Sequence, residues 1–216
     1  MTAQISTIRR QDYFPTMIFS ATAGEETDSV NAGLLSAIYA ARESDRRGIQ
    51  RSNFSALGSW HSQNYLHREA AFAPMVEMVT QLTRHMAGEL GYAASHELRI
   101  GTMWAIINPP GAFNRAHIHP DCLWSGVYYV QAPADCGQIE FIDPRTQHLM
   151  RQPVFEAGVK RPPHCWTKVN VRPAAGKLLI FPAWLYHAVH PNLSAEPAPA
   201  SDRVIISFNL SHRRRG

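Results

Sequence analysis

Two histidines separated by one residue constrain this chain more than any other feature. They lie in the segment His117-Ile118-His119-Pro120-Asp121. Side chains on an extended segment alternate between two faces, so both imidazoles lie on the same side. A third histidine, His187, follows an apolar run about seventy residues later, and it can return to the same point if the sheet rolls up. Imidazole binds iron, copper, nickel and zinc, so three convergent histidines predict a metal site.

The second half of the chain has the pattern of a β protein. Apolar runs separated by Pro, Gly, Asn and Asp predict eight strands, at about 97–108, 113–119, 123–131, 137–142, 165–172, 177–181, 185–190 and 203–210. This pattern is typical of a sandwich, jelly roll or barrel. Because the helical patterns come first and the strands follow without interruption, alternating β-α units with a parallel sheet are not expected.

The first part of the chain has the spacing of two helices. Leu34, Leu35 and Ile38 lie at helical spacing, and a second helix is predicted from about 71 to 90. Pro74 is tolerable there because it falls in the first turn, and Gly91 is well placed to end the helix. At 216 residues we expect a single domain, with residues 1–95 as helical N-terminal support and residues 96–212 as the β core.

Composition limits the partners that we expect. The net charge is +4 and no apolar run reaches the roughly 18 residues of a membrane span. The N-terminus lacks the apolar region of a signal peptide, and the three cysteines form no C-x-x-C pair. We therefore expect a cytoplasmic protein with reduced thiols and no membrane partner. The basic tail 213–215 is expected to be a solvated end, so nucleic acid is not favoured as a partner. A homo-oligomer stays open.

The last predicted strand has one apolar face and one polar face. Alternation puts Arg203, Ile205, Ser207 and Asn209 on the polar face. Such a strand is usually half exposed, but it can also line a barrel interior, where a guanidinium would pair with a carboxylate. Tyr129, which shares a face with Ser125 in its own strand, is a candidate second donor.

Several short motifs occur in a characteristic order. They are His-x-His-Pro, Ser-Gly-Val-Tyr-Tyr-Val, Gly-Gln-Ile-Glu-Phe-Ile-Asp-Pro, Phe-Pro-x-x-Leu-x-His-x-Val-x-Pro-Asn and Arg-x-x-x-Ser-Phe-Asn. Together they resemble the 2-oxoglutarate/Fe(II) oxygenases that are similar to the prolyl 4-hydroxylases. The resemblance covers about residues 100–210, and more loosely Ser52-Asn53 and 60–62. It implies a mainly β, double-stranded β-helix of the jelly-roll or cupin-like type with flanking N-terminal helices.

The resemblance also implies roles for individual residues. Fe(II) would lie at one mouth of the β-helix, with His117, His119 and His187 as its metal ligands and catalytic residues. Arg203 matches the basic residue that binds the far carboxylate of 2-oxoglutarate, and Tyr129 matches the tyrosine that supports it. Ser207, on the same face as Arg203, is included among the cofactor-binding residues.

The chain departs from the prolyl hydroxylases at the first metal motif, which in those enzymes is His-x-Asp. Alignment from the flanking segments puts that motif on His117 and His119, so a histidine occupies the carboxylate position. A shift of two residues gives His119 and Asp121 instead, which restores the usual ligands. Both registers stay open at this point, and His119 is a ligand in each.

Three functions follow from these patterns. The first is an Fe(II)/2-oxoglutarate dioxygenase that uses O2, converts 2-oxoglutarate to succinate and hydroxylates an unidentified small-molecule or peptide substrate. The second is a cupin-like three-His metalloenzyme that does not use 2-oxoglutarate. The third is a non-catalytic metal-binding β-sandwich. Arg203 together with Tyr129 favours the first.

Overall fold

Two antiparallel sheets form the centre of the molecule. The computed structural model describes residues 9–50, 58–145, 150 and 153–215. In chain order the elements are β1 (Phe19–Thr22), α1 (Thr27–Ser44), β2 (Trp60–His61), α2 (Ala73–Glu89), β3 (His96–Asn108), β4 (Asn114–His117), β5 (Trp124–Gln131), β6 (Ile139–Ile142), β7 (Lys168–Val171), β8 (Lys177–Pro182), β9 (His187–Val189) and β10 (Arg203–Arg214). Short 3-10 turns occur at Leu66–Arg68, Ala70–Phe72 and Pro163–Cys165.

The strand order explains how the chain makes a cavity. The larger sheet has the order β1-β8-β5-β10-β3-β2 and the smaller one β4-β9-β6-β7. Side chains from both sheets meet in one apolar cluster that includes Ile106, Ile205, Phe141 and Ile139. The sheets therefore pack through their inner faces, as in the double-stranded β-helix that the sequence predicts.

Alternation along the strands separates two cores. In β10, Val204, Ile206, Phe208 and Leu210 pack with the helices α1 and α2 in one cluster. The other face of β10 lies towards the smaller sheet and the cavity. Helices thus cover the outer face of the larger sheet, and the inner face is free to build a site.

All eight predicted strands are present, with ends that differ by a few residues from the expected ones. Two further strands, β1 and β2, lie in the segment expected to be helical support, and both join the larger sheet. They are only four and two residues long, too short for a clear alternation pattern. The Ser52-Asn53 pair of the resemblance lies outside the described residues.

The second helix begins and ends as its sequence predicts. Pro74 lies in the first turn of α2. At the other end Gly91 has a positive φ of 66°. The amide of Tyr92 donates to the carbonyl of Ala87, and that of Gly91 donates to the carbonyl of Gly88. This is the Schellman arrangement. Among the described residues no helix is long and apolar enough to cross a membrane.

Two glycines provide a matched test of the packing. A Cβ at Gly126 on β5 would lie 2.2 Å from the Phe208 ring, whereas one at Gly88 in α2 meets nothing within 4 Å. We expect Gly126→Ala to lower the free energy of unfolding by about 1–3 kcal/mol through overpacking. Gly88→Ala should raise it by about 0.5–1 kcal/mol because alanine favours the helix.

Urea unfolding of the two variants beside the wild-type protein measures both changes. Equal stability of Gly126→Ala and the wild type would mean that β5 and β10 are not packed as described.

Candidate metal and cofactor site

Three histidine side chains converge at one end of the space between the sheets. One ring nitrogen from each of His117, His119 and His187 lies within 4.8 Å of the others. The Nε2 atoms of His119 and His187 are 3.3 Å apart, and two nitrogens that share an ion at about 2.1 Å have a similar separation. Among the described residues this is the one group of three or more His, Cys, Asp or Glu with such geometry. Asp121 is exposed and is not part of it.

Strand pairing brings two of these histidines together from distant parts of the chain. His117, the last residue of β4, lies opposite His187, the first residue of β9. His119 is two residues beyond the end of β4, where its backbone amide donates to the carbonyl of Ala183 at 2.9 Å. Ile118 between them is partly exposed. The alternation expected for an extended segment therefore continues past the end of the strand.

Backbone carbonyls select the ring nitrogen that is left for a metal. Nδ1 of His117 lies 2.7 Å from the carbonyl of Arg115, and Nδ1 of His187 lies 2.9 Å from the carbonyl of Leu185. A carbonyl only accepts, so each Nδ1 carries the proton, and each Nε2 keeps its lone pair. Hydrogen bonds of this kind orient histidine ligands in metal sites.

Burial keeps the imidazoles of His117 and His187 uncharged. Burial, together with the neighbouring His117, lowers the pKa of His187 to about 3. Burial also lowers the pKa of His117. Phe181 packs edge-on against His187, with ring centroids 4.7 Å apart. A neutral imidazole is the form that binds a metal ion, so the site is ready for one at neutral pH.

At the other end of the cavity lies a buried positive charge. Arg203, the first residue of β10, is fully buried. Its Nη1 donates to the carbonyls of Cys136 and His190. Its Nε and Nη2 are buried without a hydrogen-bond partner among the described residues. Burial lowers the pKa of Arg203, but a guanidinium stays protonated in proteins. Its free donors therefore fit a carboxylate.

Tyr129 and Ser207 line the same cavity as Arg203 and the three histidines. Tyr129 lies opposite Ile205 across the β5–β10 pair, one side-chain position along the inner face from Arg203. Burial raises its pKa, with the Arg203 charge opposing, so the phenol is a neutral donor. Ser207 lies further along, opposite Trp104 of β3. All the predicted site residues are thus on the walls of one cavity of about 480 Å³.

The cavity contains side chains that the sequence analysis did not single out. His61, which the sequence analysis included only in the loosely similar segment 60–62, is buried and stacks on Trp104 at 5.6 Å and 9°. Trp104 in turn stacks on His119 at 5.9 Å. Thr102 and Asn209 also line the cavity. Alternation along β3 would have put Thr102 and Trp104 on one face, but only the pairing with β10 shows that this face is the inner one.

Comparison with known families identifies the chain. The sequence model of the family described as "Putative 2OG-Fe(II) oxygenase" matches residues 102–209, half of the chain. The chain belongs to this family. The matched residues include β4, β5, β9 and most of β10, which are the strands that carry the histidines, Tyr129 and Arg203. No curated protein matches the sequence.

Solved structures show the same fold at low sequence identity. A Pseudomonas putida prolyl-4-hydroxylase has 19% identity and a TM-score of 0.57, with 93% of this chain and 94% of that chain covered. The alpha ketoglutarate dependent epimerase SnoN from nogalamycin biosynthesis has 13% identity and a TM-score of 0.63, covering 93% and 82%. HygX from Streptomyces hygroscopicus, with nickel and 2-oxoglutarate bound, has 11% identity and a TM-score of 0.56, covering 91% and 83%.

The family is that of 2-oxoglutarate- and Fe(II)-dependent oxidoreductases, so the protein is an enzyme whose cofactors are Fe(II) and 2-oxoglutarate. The residues present fit both groups. Three neutral imidazoles suit a first-row divalent ion, and the unpartnered nitrogens of the buried Arg203 suit a carboxylate. This assignment favours the oxygenase over the cupin-like and the non-catalytic alternatives.

The depressed pKa values predict an acid-sensitive metal-free protein. Above about pH 6.5 an unfolded histidine is neutral, as in the folded site, and contributes no pH dependence. Below that pH the histidine in the unfolded chain binds a proton, whereas His187 in the folded protein stays neutral down to about pH 3. Stability should therefore fall as the pH falls through this window, by up to about 2–3 kcal/mol between pH 6.5 and 4.5 for one such group.

Urea unfolding of the metal-free protein at pH 7.5, 5.5 and 4.5 measures this loss. His187→Gln, which cannot titrate, should lose less stability over the same range. Parallel curves for the two proteins would show that His187 does not resist protonation.

Proposed function

We propose that this protein is an Fe(II)/2-oxoglutarate dioxygenase that hydroxylates a substrate in the cavity between its sheets and converts 2-oxoglutarate to succinate. The observation that carries the proposal is that one cavity has three convergent histidines at one end and a buried guanidinium with two unpartnered nitrogens, among the described residues, at the other. A chelating dicarboxylate needs a metal at one end and a positively charged partner for its remote carboxylate at the other.

In this proposal His117, His119 and His187 hold the iron through their Nε2 atoms. The convergence of the three rings and the carbonyls behind two of them support this ligand set. It corresponds to the first of the two registers, since Asp121 is exposed and outside the cluster. With three protein ligands, the ion would keep room for the cosubstrate.

In the proposal Arg203, Tyr129 and Ser207 bind 2-oxoglutarate at the end of the cavity away from the histidines. Nε and Nη2 of Arg203 match the two oxygens of a carboxylate in the fork geometry of a bidentate pair. The Tyr129 hydroxyl donates one further hydrogen bond, and its raised pKa keeps the proton in place. Ser207, nearer to Trp104, is placed to contact the middle of the bound molecule.

The iron with 2-oxoglutarate and O2 supplies the oxidising chemistry, and the protein supplies binding, orientation and exclusion of water. Phe141 and Phe181 pack against His187 and keep its ring fixed in an apolar wall. Arg203 and Tyr129 orient the dicarboxylate towards the histidines. We also propose that residues 1–216 act as a single domain, because β1 from the first part pairs with β8 in the larger sheet.

The ligand set makes a prediction about metal content. The purified protein should bind about one first-row divalent ion per chain, and His187→Ala should abolish binding because it removes a buried donor. His117→Ala should cost more than the roughly 10–100-fold that loss of an outer-shell partner causes. Asp121→Ala should leave the affinity unchanged.

His190→Ala is the matched control, since His190 lies near Glu140 and outside the cluster. Metal content is measured by elemental analysis and affinity by competition with a chelator. If Asp121→Ala loses the metal and His117→Ala keeps it, the second register is correct.

The cosubstrate end makes a separate prediction. In the Mn(II)-loaded protein, Arg203→Met should weaken 2-oxoglutarate binding by about 2–5 kcal/mol, as for truncated buried charge pairs. Tyr129→Phe should cost about 0.5–1.5 kcal/mol, or up to about 3 if the acceptor is charged. Both variants should keep the metal. Calorimetry measures binding, and succinate formation with Fe(II) and O2 tests turnover.

Arg99→Met is the control for loss of an arginine, because Arg99 is an exposed residue of β3 in the same sheet. Arg203→Lys keeps the charge without the fork and should lie between Arg203→Met and the wild type. Tight 2-oxoglutarate binding by Arg203→Met would contradict the assignment. Wild-type protein that holds metal but neither binds nor turns over 2-oxoglutarate would contradict the proposed function.

A further inference from the structure

One of the five tryptophans lacks the hydrogen bond that buried indoles normally make. Trp60, Trp124 and Trp166 donate Nε1–H to Asp45, Tyr92 and Arg161. Trp184 is half exposed. Trp104 is buried, and its Nε1 has no partner among the described residues. An indole nitrogen only donates, and a buried donor without an acceptor is costly. An acceptor from a bound molecule would remove that cost.

Trp104 has a defined place in the cavity. It lines the cavity wall and stacks on His119. In the β3–β10 register it lies opposite Ser207, four residues from Arg203, which corresponds to about 13 Å along the strand. Trp104 is therefore beside the metal ligands, at a distance from the end that Arg203 occupies.

The next side-chain row, further from Arg203, is polar as well. Thr102, Asn209 and Ser125 are neighbours across three strands, and all three line the cavity. Ser125 Oγ donates to Asn209 Oδ1 at 3.0 Å, which leaves the Asn209 amide nitrogen as a donor. Thr102 Oγ1 is buried without a partner among the described residues. Trp104 Nε1 and Thr102 Oγ1 are thus two buried groups near the histidines for which the described part of the chain provides no partner.

The net charge of the cavity indicates which kind of acceptor a bound molecule would present to these donors. Among the described residues the cavity is lined by no aspartate or glutamate. With three neutral imidazoles, a divalent ion contributes +2 and Arg203 contributes +1, whereas a 2-oxoglutarate dianion contributes −2. The loaded cavity therefore has one uncompensated positive charge, which a site with a carboxylate ligand would not have.

We propose that the end of the cavity away from Arg203 is a substrate subsite for a carboxylate of a small organic acid, held by the Trp104 Nε1–H and the Asn209 amide. Thr102 is the third group within this subsite. The proposal rests on the proposed function in one respect, since the excess charge assumes that metal and 2-oxoglutarate are bound. The unpartnered donors do not depend on that assumption.

Nuclear magnetic resonance of the indole N–H groups tests the subsite directly. Protein labelled with nitrogen-15 and loaded with diamagnetic Zn(II) should give five indole signals, one for each tryptophan. Trp104→Phe removes one and assigns it. Replacing Zn(II) by paramagnetic Mn(II) assigns it independently, because the Trp104 ring stacks on His119 and its signal should broaden most. The second route is available even if the variant does not fold.

The probes are matched pairs of a carboxylate and its neutral amide: butyrate and butyramide, benzoate and benzamide, N-acetylglycine and N-acetylglycinamide. Each is titrated with and without saturating 2-oxoglutarate. A carboxylate should shift the Trp104 signal saturably, at a concentration about tenfold or more below that of its amide, because a hydrogen bond to a charged acceptor is stronger. Asn209→Asp, which replaces a donor by a negative charge, should raise that concentration about tenfold or more.

Three results would overturn the subsite. They are no shift with any carboxylate, equal shifts with acids and amides, or a shift caused by 2-oxoglutarate alone to which no probe adds. The last result would assign the Trp104 donor to the cosubstrate. Calorimetry of 2-oxoglutarate binding to the same wild-type sample separates failure of the subsite from failure of the proposed function. Normal 2-oxoglutarate binding with no probe shift rejects the subsite and leaves the proposed function standing. Probe shifts without 2-oxoglutarate binding reject the proposed function and keep the subsite.

Discussion

A guanidinium with no access to solvent is the constraint on which the rest of the structure depends. Arg203 has 0% exposure, and two backbone carbonyls satisfy only its Nη1. A buried charge without a counter-charge is costly, and its cost falls when an anion binds. The described lining of the cavity provides no carboxylate of its own. The fold therefore favours an anionic ligand beside Arg203, and in the proposed function that ligand is the dicarboxylate cosubstrate.

In the proposed site a histidine takes the place of a carboxylate ligand, which changes the electrostatics of the whole cavity. Three neutral imidazoles leave the full +2 charge of the ion, which a 2-oxoglutarate dianion neutralises. Together with the charge of Arg203, the loaded cavity then has a net charge of +1, whereas a carboxylate ligand would have made it neutral. In the proposed site, a preference for a negatively charged substrate thus follows from the ligand set. The buried donors of Trp104 and Thr102, which have no partner among the described residues, indicate where that substrate would bind.

The sequence predicts which strands hold the candidate site residues better than it predicts the contacts between those strands. Period-two alternation puts Arg203 and Ser207 on one face of β10, because that strand is long and its other face is wholly apolar, but it does not say whether their face is exposed or inside. Alternation also puts His117 and His119 on the same side, although His119 lies two residues beyond the end of the short strand β4. The choice between Asp121 and His117 needs the tertiary structure, since both spacings satisfy alternation. The stack of His61 on Trp104 joins residues more than forty positions apart, and no local pattern reports such a contact.

The two ends of the cavity are linked through one short segment. His187 begins β9, and three residues later the carbonyl of His190 accepts a hydrogen bond from Arg203. The amide of His190 donates to the carbonyl of Gln138, which holds the segment beside β6. Gly137, with φ at 87°, leaves room there, because a Cβ would lie 2.2 Å from the His190 carbonyl and 2.7 Å from Arg203 Nη1. A shift of β9 by one residue would turn His187 away from the other histidines and displace the carbonyl that holds Arg203. A single strand register therefore sets both the position of His187 beside the other two histidines and the position of the Arg203 guanidinium.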